Sequence, residues 1–194
     1  ARTDPDAPAH KGITMFLVPT SSPGFKIVPY ITMGAANTTA TYYDNVRVPN
    51  EMLVGELHGG WKLITSQLNH ERLGLGTWSD KVVALFRRVY LWSRARDEQG
   101  RRAMDKAWVR SSLAECYARL EAMRLINMRI AADLELERMN VALSSTTKVF
   151  GSESAIEILR KLAAIVGANG SMRSGSAATL LQGELEFELR SAPT

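Results

Sequence analysis

The sequence predicts an α+β protein in which a strand region is followed by an antiparallel helical bundle. Its composition changes near Trp61: short runs of β-type residues with turn residues between them come before it, and long segments with helical spacing come after it. The strand region offers three candidate strands, which is too few to close a barrel. These strands form either a small sheet or part of a larger one.

The strands are predicted from short apolar runs and the turns between them. Residues 12–18 form a run that ends at Pro19, and the turn residues 20–24 separate it from a second strand at residues 25–30. A third strand is predicted at residues 38–48, where Thr, Tyr and Val are frequent.

The first helix is predicted from an apolar series that begins at Trp61. Its members follow steps of three and four: Trp61, Ile64, Leu68, Leu75, Trp78, Val82, Leu85 and Val89. Residues 97–102 form the loop to a second helix, predicted from about residue 105, with Asp105 as N-cap, to about residue 138. The predicted apolar face of this second helix comprises Val109, Leu113, Cys116, Leu120, Met123, Ile130 and Leu134, with Asn127 as a polar exception.

Two further helices complete the predicted bundle. The third covers residues 144–166 and ends at the stop signal of residues 167–170, which contains Gly167 and Gly170. The fourth covers residues 176–189.

Composition and charge exclude several classes of protein. Hydrophobic residues make up 45% of the 194 residues and charged residues 23%, which excludes a mostly disordered chain. The net charge of +4 is too small to argue for nucleic acid binding. No apolar stretch approaches the roughly 20 residues that cross a bilayer. The single cysteine fits a reducing cytoplasm, and the three histidines lack metal-ligand spacing.

Glu71 interrupts the apolar series of the first helix. Its position between Leu68 and Leu75 predicts a core-facing carboxylate, and a desolvated carboxylate is suited to act as a general base near neutral pH. Asn69 and Arg72 are three residues apart, so they share an adjoining face and could hold one polar ligand. The alternative to a catalytic role is a structural one: Glu71 either forms an ion pair or lies at the edge of the apolar series with its carboxylate reaching solvent.

Several segments together resemble the acyl-CoA dehydrogenase family. They run in order through KGITMFLVP (11–19), PGF (23–25), YDNVRVP (43–49), LVGE (53–56), GGW (59–61), LNHERL (68–73), KVFGSE (148–153) and GANG (167–170). The resemblance covers nearly the whole chain. It implies that residues 1–58 are the C-terminal part of a middle sheet domain, and that residues 59–194 are a four-helix bundle that stops before its final segment.

The resemblance also implies a reaction. Glu71 matches one of the two positions of the family's catalytic base, on the first bundle helix. It would remove the α-proton of an acyl-CoA thioester while the β-hydride passes to FAD, giving a trans-2-enoyl-CoA as in fatty acid β-oxidation. The electrons would then pass to an electron-transfer flavoprotein or a similar acceptor, and the subunits would form homo- or hetero-oligomers, dimers or tetramers.

The resemblance assigns binding roles and also shows departures from the family pattern. Asn69 and Arg72 match positions that contact the pantetheine part of CoA, and Gly167 and Gly170 match cofactor-binding positions. Ala164 and Ala168 replace a glutamine and a glycine of the family signature, Asn37 stands where close relatives have arginine, and residues 97–102 lack the Arg-x-x-Phe-Gly pattern of the flavin site. Two alternatives are a non-catalytic or half-site partner subunit of a heteromeric enzyme, and a flavin oxidase or monooxygenase on the same fold.

Overall fold

A computed structural model gives the fold of this chain. It describes residues 1–34, 37–136, 138, 141–177 and 179–192, and for residues 69, 70, 72–79, 134 and 141 among these it describes the backbone only. The chain divides into two compact units, Ala1–Glu71 and Arg72–Thr194. The first contains the strands and the second most of the helical residues, so the predicted α+β class is confirmed. The predicted domain boundary between residues 58 and 59 stays a prediction.

The first unit contains two small antiparallel sheets. Strand β1 (Met15–Phe16) pairs with β4 (Leu53–Val54). Strand β2 (Phe25–Ile31) pairs with β3 (Asn37–Tyr43) in a register that sets Phe25 opposite Tyr43. The sequence did not predict β4, because two residues are too short to show an alternating pattern.

Two of the predicted strands are longer than the observed ones. The first was expected at residues 12–18, but Ile13 forms only isolated bridges, to Arg2 and to Gly59. The third was expected to reach Val48, but β3 ends at Tyr43, and Asn45 shortly after it adopts a left-handed conformation with φ of 50°. Single bridges and left-handed residues both interrupt a regular ladder.

The helical elements begin with the long helix α1 (Gly60–Arg94) and continue with α2 (Ala107–Glu135), α3 (Val141–Val166) and α4 (Glu184–Ser191). Asp105 caps a short 3₁₀ turn, Ala103–Asp105, where its carboxylate accepts the backbone N–H of Arg102 at 3.2 Å. Asp105 is therefore not the N-cap of α2, as the sequence had suggested. The fourth helix starts at residue 184 rather than 176, because Gln182 and Gly183 have left-handed φ values of 59° and 79°.

The second unit has a continuous apolar core. Every predicted apolar position of α2 whose side chain is described is buried, as are Val82, Leu85 and Val89 of α1. Helix α3 contributes Ile158, Leu159 and Leu162, each 0% exposed, and α4 adds Leu185. The helical spacing therefore identified the parts of this core that α1 and α2 contribute. None of the described helices is long and apolar enough to cross a membrane.

Candidate functional site

Helix α1 carries the predicted catalytic and substrate-binding residues within the four positions 69–72. The helix is continuous from Gly60 through Glu71, with the Thr65 hydroxyl donating to the carbonyls of Trp61 at 2.9 Å and Lys62 at 3.0 Å. Glu71 lies three residues after Leu68, so these two side chains project from one side of the helix. The helical register that the sequence predicts for the site is therefore present.

The structure contradicts the expected burial of Glu71. Its side chain is exposed, and Leu68 and Trp61 of the same predicted stripe are 43% and 49% exposed. Helical spacing reports which residues share a face, but it does not report whether anything covers that face. Among the side chains of this series that the structure describes, Trp61 and Leu68 are exposed, Ile64 is half-buried, and Val82, Leu85 and Val89 are buried.

The two predicted substrate-binding residues, Asn69 and Arg72, can be placed only by their backbone. Both lie in α1, three residues apart and thus on one face, but their side chains lie outside the described part of the structure. Their assignment to the pantetheine part of CoA stays a prediction.

The two predicted cofactor-binding glycines follow α3 in a 3₁₀ turn, Gly167–Ser171. Gly167 is exposed with φ of +75°, and, its two chain neighbours aside, no heavy atom of the described structure lies within 4 Å of the position a Cβ would take. Gly170 is buried, and a Cβ there would lie 3.1 Å from the Cβ of Val166. An approaching ligand could therefore reach the backbone at Gly167, whereas close packing against Val166 already accounts for glycine at position 170.

The arginines of the loop at residues 97–102 are held by carboxylates. Arg101 bonds to Asp97 at 3.0 Å, and Arg102 bonds to Asp105 at 2.8 Å. The backbone N–H of Arg101 lowers the pKa of Asp97, with a smaller contribution from its guanidinium, and the guanidinium of Arg102 lowers the pKa of Asp105. The carboxylates of Asp97 and Asp105 thus already pair these two arginines within an exposed loop.

The second unit contains a groove lined by aromatic residues that the sequence did not predict. It has a volume of about 840 Å³ and lies between the end of α1, the loop and the start of α2. Phe86 and Tyr90 stack in its wall with ring centroids 6.3 Å apart, Tyr117 lies 6.4 Å from Phe86, and the Arg94 guanidinium lies 5.6 Å from the Tyr90 ring. Aromatic faces beside a guanidinium suit a planar anionic group. The spacing of four between Phe86 and Tyr90 is the signal that could have revealed it.

Among the side chains that the structure describes, no group of three or more His, Cys, Asp or Glu residues is placed to hold a metal ion. The features in this part of the chain that a ligand could contact include the exposed carboxylate of Glu71, the open backbone at Gly167 and the aromatic groove.

Comparison with known proteins identifies the class to which this fold belongs. Residues 58–184 match the family model described as acyl-CoA dehydrogenase, C-terminal domain. Acyl-CoA dehydrogenase FadE26 of Mycobacterium tuberculosis is 38% identical over 192 residues, covering 95% of this chain and 48% of that protein. The chain belongs to the acyl-CoA dehydrogenase family.

Solved structures agree in fold over the whole chain. The structure titled Tcur3481-Tcur3483 steroid ACAD has a TM-score of 0.92 and 43% identity, and covers 99% of this chain and 49% of that one. The ChsE4-ChsE5 complex from Mycobacterium tuberculosis has a TM-score of 0.89 and 38% identity. The match covers 99% of this chain and 49% of that one. This chain spans about half the length of the curated relatives and solved chains that it matches.

Proposed function

We propose that the protein carrying this chain dehydrogenates an acyl-CoA thioester between its α and β carbons, giving a trans-2-enoyl-CoA. The observation that carries the proposal is the position of Glu71: an acidic residue in mid-helix, on the bundle helix of a chain that belongs to the acyl-CoA dehydrogenase family. Glu71 would act as the base that removes the α-proton. Asn69 and Arg72, on the adjoining face of α1, would hold the pantetheine part of CoA.

The surface around Glu71 supports this role. Leu68 is 43% exposed and lies one helical turn before Glu71 on the same side of α1, so it offers an apolar surface to an acyl chain. A substrate bound there would displace water from the carboxylate, and removing water strengthens the interaction of the base with the α-proton. The bound substrate would thus cover the exposed side chains of Trp61 and Leu68.

FAD is the cofactor that this proposal requires. When bound, it accepts the β-hydride of the substrate, and the electrons leave to an electron-transfer flavoprotein or a similar acceptor. Gly167 fits contact with such a group, because its backbone is open and left-handed. Gly170 stays a predicted contact. We place the reaction in the cytoplasm, within fatty acid or related lipid oxidation.

Replacing Glu71 tests the assignment of the base. In the full-length protein, Glu71→Gln should retain flavin absorbance but lose turnover of acyl-CoA by about 10²–10⁴-fold, the usual contribution of a general base. Flavin bleaching by thioester under anaerobic conditions measures the chemical step directly. Glu51→Gln, at another exposed glutamate of the first unit, is the matched control and should turn over normally. Undiminished bleaching by Glu71→Gln would remove Glu71 from the mechanism.

A second candidate function is that of a partner subunit in a heteromeric enzyme. Two of the similar solved structures, Tcur3481-Tcur3483 and ChsE4-ChsE5, each bear the names of a pair of proteins, which favours assembly with a relative. Flavin content separates the two candidates. A full-length protein that is yellow when purified alone supports the self-sufficient enzyme, whereas one that becomes yellow only with a second chain supports the partner role.

A further inference from the structure

The first unit contains a closed ring of hydrogen bonds just before helix α1. The Thr14 hydroxyl is 0% exposed; its oxygen accepts the backbone N–H of His58 at 2.8 Å and lies 2.6 Å from the Thr3 hydroxyl. The Thr3 hydroxyl in turn lies 2.9 Å from Nδ1 of the His58 ring. The bonds therefore lead from the backbone of His58 through two threonines to its own side chain. We call this ring the Thr–His circuit.

The Thr–His circuit lies where α1 is attached to the rest of the first unit. Gly60, the first residue of α1, donates its N–H to the carbonyl of Ile13 at 2.9 Å, and a Cβ at Gly60 would lie 3.0 Å from that oxygen. His58 has a left-handed φ of 64°. A residue with a side chain adopts this conformation at a cost, so surrounding contacts have to hold it there. The circuit supplies such contacts to both the backbone and the ring of His58.

The direction of each hydrogen bond follows from the number of protons in the circuit, because each hydroxyl has one proton to donate. Every proton has an acceptor when Thr14 donates to Thr3 and Thr3 donates to an unprotonated Nδ1. In the opposite direction, Nδ1–H donates to Thr3 and Thr3 donates to Thr14, and the Thr14 proton then has no acceptor among the described residues. Water does not reach this fully buried hydroxyl, and an unsatisfied buried donor is costly. The complete circuit therefore requires a neutral His58 with its proton on Nε2.

We propose that the Thr–His circuit is a pH-sensitive switch, which holds the start of α1 while His58 is neutral and releases it when His58 is protonated. The imidazolium carries a proton on both ring nitrogens, so it imposes the direction that leaves the Thr14 hydroxyl unsatisfied. Histidine side chains take up this proton in the range of about pH 5–8. Acidification in this range therefore loosens residues 58–60, and this switch does not depend on the proposed dehydrogenation.

The charged groups around His58 do not offset its protonation. The titratable groups of the segments next to it are Arg2, Asp4, Asp6, His10 and Lys11 before Thr14, Glu56 in the preceding loop and Lys62 on α1. His58 forms no ion pair with any carboxylate that the structure describes, and its hydrogen bonds are those to Thr3 and Thr14. The Asp4 carboxylate already accepts the backbone N–H groups of Asp6 and Ala7 at 3.1 and 3.2 Å. A positive charge on His58 thus gains no described partner.

Amide hydrogen exchange of the full-length protein tests the switch without reference to activity. Peptides that cover residues 55–61 are followed by mass spectrometry between about pH 8 and about pH 5, and the intrinsic exchange rate at each pH is divided by the observed rate to give a protection factor. We expect the protection of this segment to fall about tenfold or more on acidification, because local opening exposes the N–H groups of His58 and Gly60. Peptides around the fully buried Ile158 should remain protected throughout.

His58→Asn separates the titration of His58 from its structural role. Asparagine tolerates the left-handed conformation, and its side-chain oxygen can accept the Thr3 hydroxyl at every pH. This variant should therefore keep the protection that the parent protein has at about pH 8 and show no dependence on pH. Thr3→Val, at an exposed residue, opens the circuit and should lower the protection of residues 55–61 across the whole pH range.

His10→Asn is the matched control. His10 is another histidine of the first unit, with its ring 6.0 Å from the Trp61 ring, and it takes no part in the Thr–His circuit, so this variant should respond to pH like the parent protein. Four results would overturn the proposal: a parent segment whose protection is independent of pH, His58→Asn with the pH dependence of the parent, Thr3→Val with undiminished protection, or His10→Asn that abolishes the response.

Discussion

The two units of this chain bury their apolar residues to very different extents. In the unit Arg72–Thr194, large side chains from all four helices form one core, with Ile158, Leu159 and Leu162 completely buried. In the unit Ala1–Glu71, the buried residues among those described are glycines and Thr14, and no large apolar side chain is fully covered. The helical unit is therefore stabilised by the packing of apolar side chains, whereas the sheet unit has no comparable core among its described residues.

Hydrogen bonds take the place of a core in the sheet unit. The Thr14 hydroxyl, 0% exposed, contacts the Thr3 hydroxyl at 2.6 Å and accepts the backbone N–H of His58 at 2.8 Å. By contrast, Ile31 and Tyr30 of strand β2, which pairs with β3, are 87% and 51% exposed. A two-stranded hairpin with exposed apolar residues is marginal in water. The comparison indicates that the helical unit supplies most of the chain's own stability.

An isoleucine-to-alanine substitution in each unit gives the largest expected difference between the two units. Ile158→Ala removes a fully buried side chain and should lower the free energy of unfolding by about 2–5 kcal/mol, because it loses apolar burial and leaves a cavity. Ile31→Ala, at a residue 87% exposed, should change it by less than about 0.5 kcal/mol. Urea unfolding followed by circular dichroism measures both. Similar losses for the two variants would show that Ile31 is covered in solution and that the contrast between the units is wrong.

Much of the helical unit could be predicted from sequence because its apolar positions repeat with the helical period. The positions of α2 between Val109 and Ile130 were correctly placed in the core, and α3 ends at Val166 as predicted. The start of α4 could not be predicted, because the left-handed conformation of Gln182 and Gly183 leaves no periodic signal. Strand β4 was missed because pairing of two residues depends on the partner strand and not on local composition.

For the candidate site, the sequence predicted which residues lie on one side of the helix, but it did not predict what surrounds them. Spacing correctly placed Glu71 on the helix one turn after Leu68, yet it could not show that both are exposed. Helix α2 shows the same limit, because its spacing does not show that Tyr117 and Leu125 are 59% and 54% exposed. Sequence periodicity states which side chains face together, and only coordinates show what they face.

A buried thiol offers a pH-dependent measure of the helical core. Burial raises the pKa of Cys116 from its ordinary 9.0 to about 11. Between these pH values the unfolded chain has released the thiol proton while the folded chain retains it, so the free energy of unfolding falls as pH rises through this range. Below pH 9.0 the contribution is fully present. Urea unfolding at pH values from about 8 to about 11 should show this decline in the parent protein.

Cys116→Ala separates the thiol from every other group that titrates at high pH. The variant lacks the thiol and keeps all lysines and tyrosines, so the difference in unfolding free energy between parent and variant should shrink steadily above pH 9.0. A difference independent of pH would mean that the thiol is accessible to water. Slow reaction of Cys116 with alkylating reagents at pH 8, becoming fast in urea, gives the same information by a second route.

A small effect is also expected for the ion pairs between α1 and α4 of the helical unit. Arg88 of α1 bonds to Glu184 of α4, and Lys81 lies 3.7 Å from Glu188. The Arg88 and Glu184 side chains are 36% and 50% exposed, so water screens the pair and Glu184→Gln should cost less than about 1 kcal/mol. Urea unfolding in low salt and in about 1 M NaCl measures it, and salt should reduce the difference between parent and variant. A larger loss that persists in salt would mean that α4 is held by this ion pair more than by the burial of Leu185, and that packing alone does not account for the stability of the helical unit.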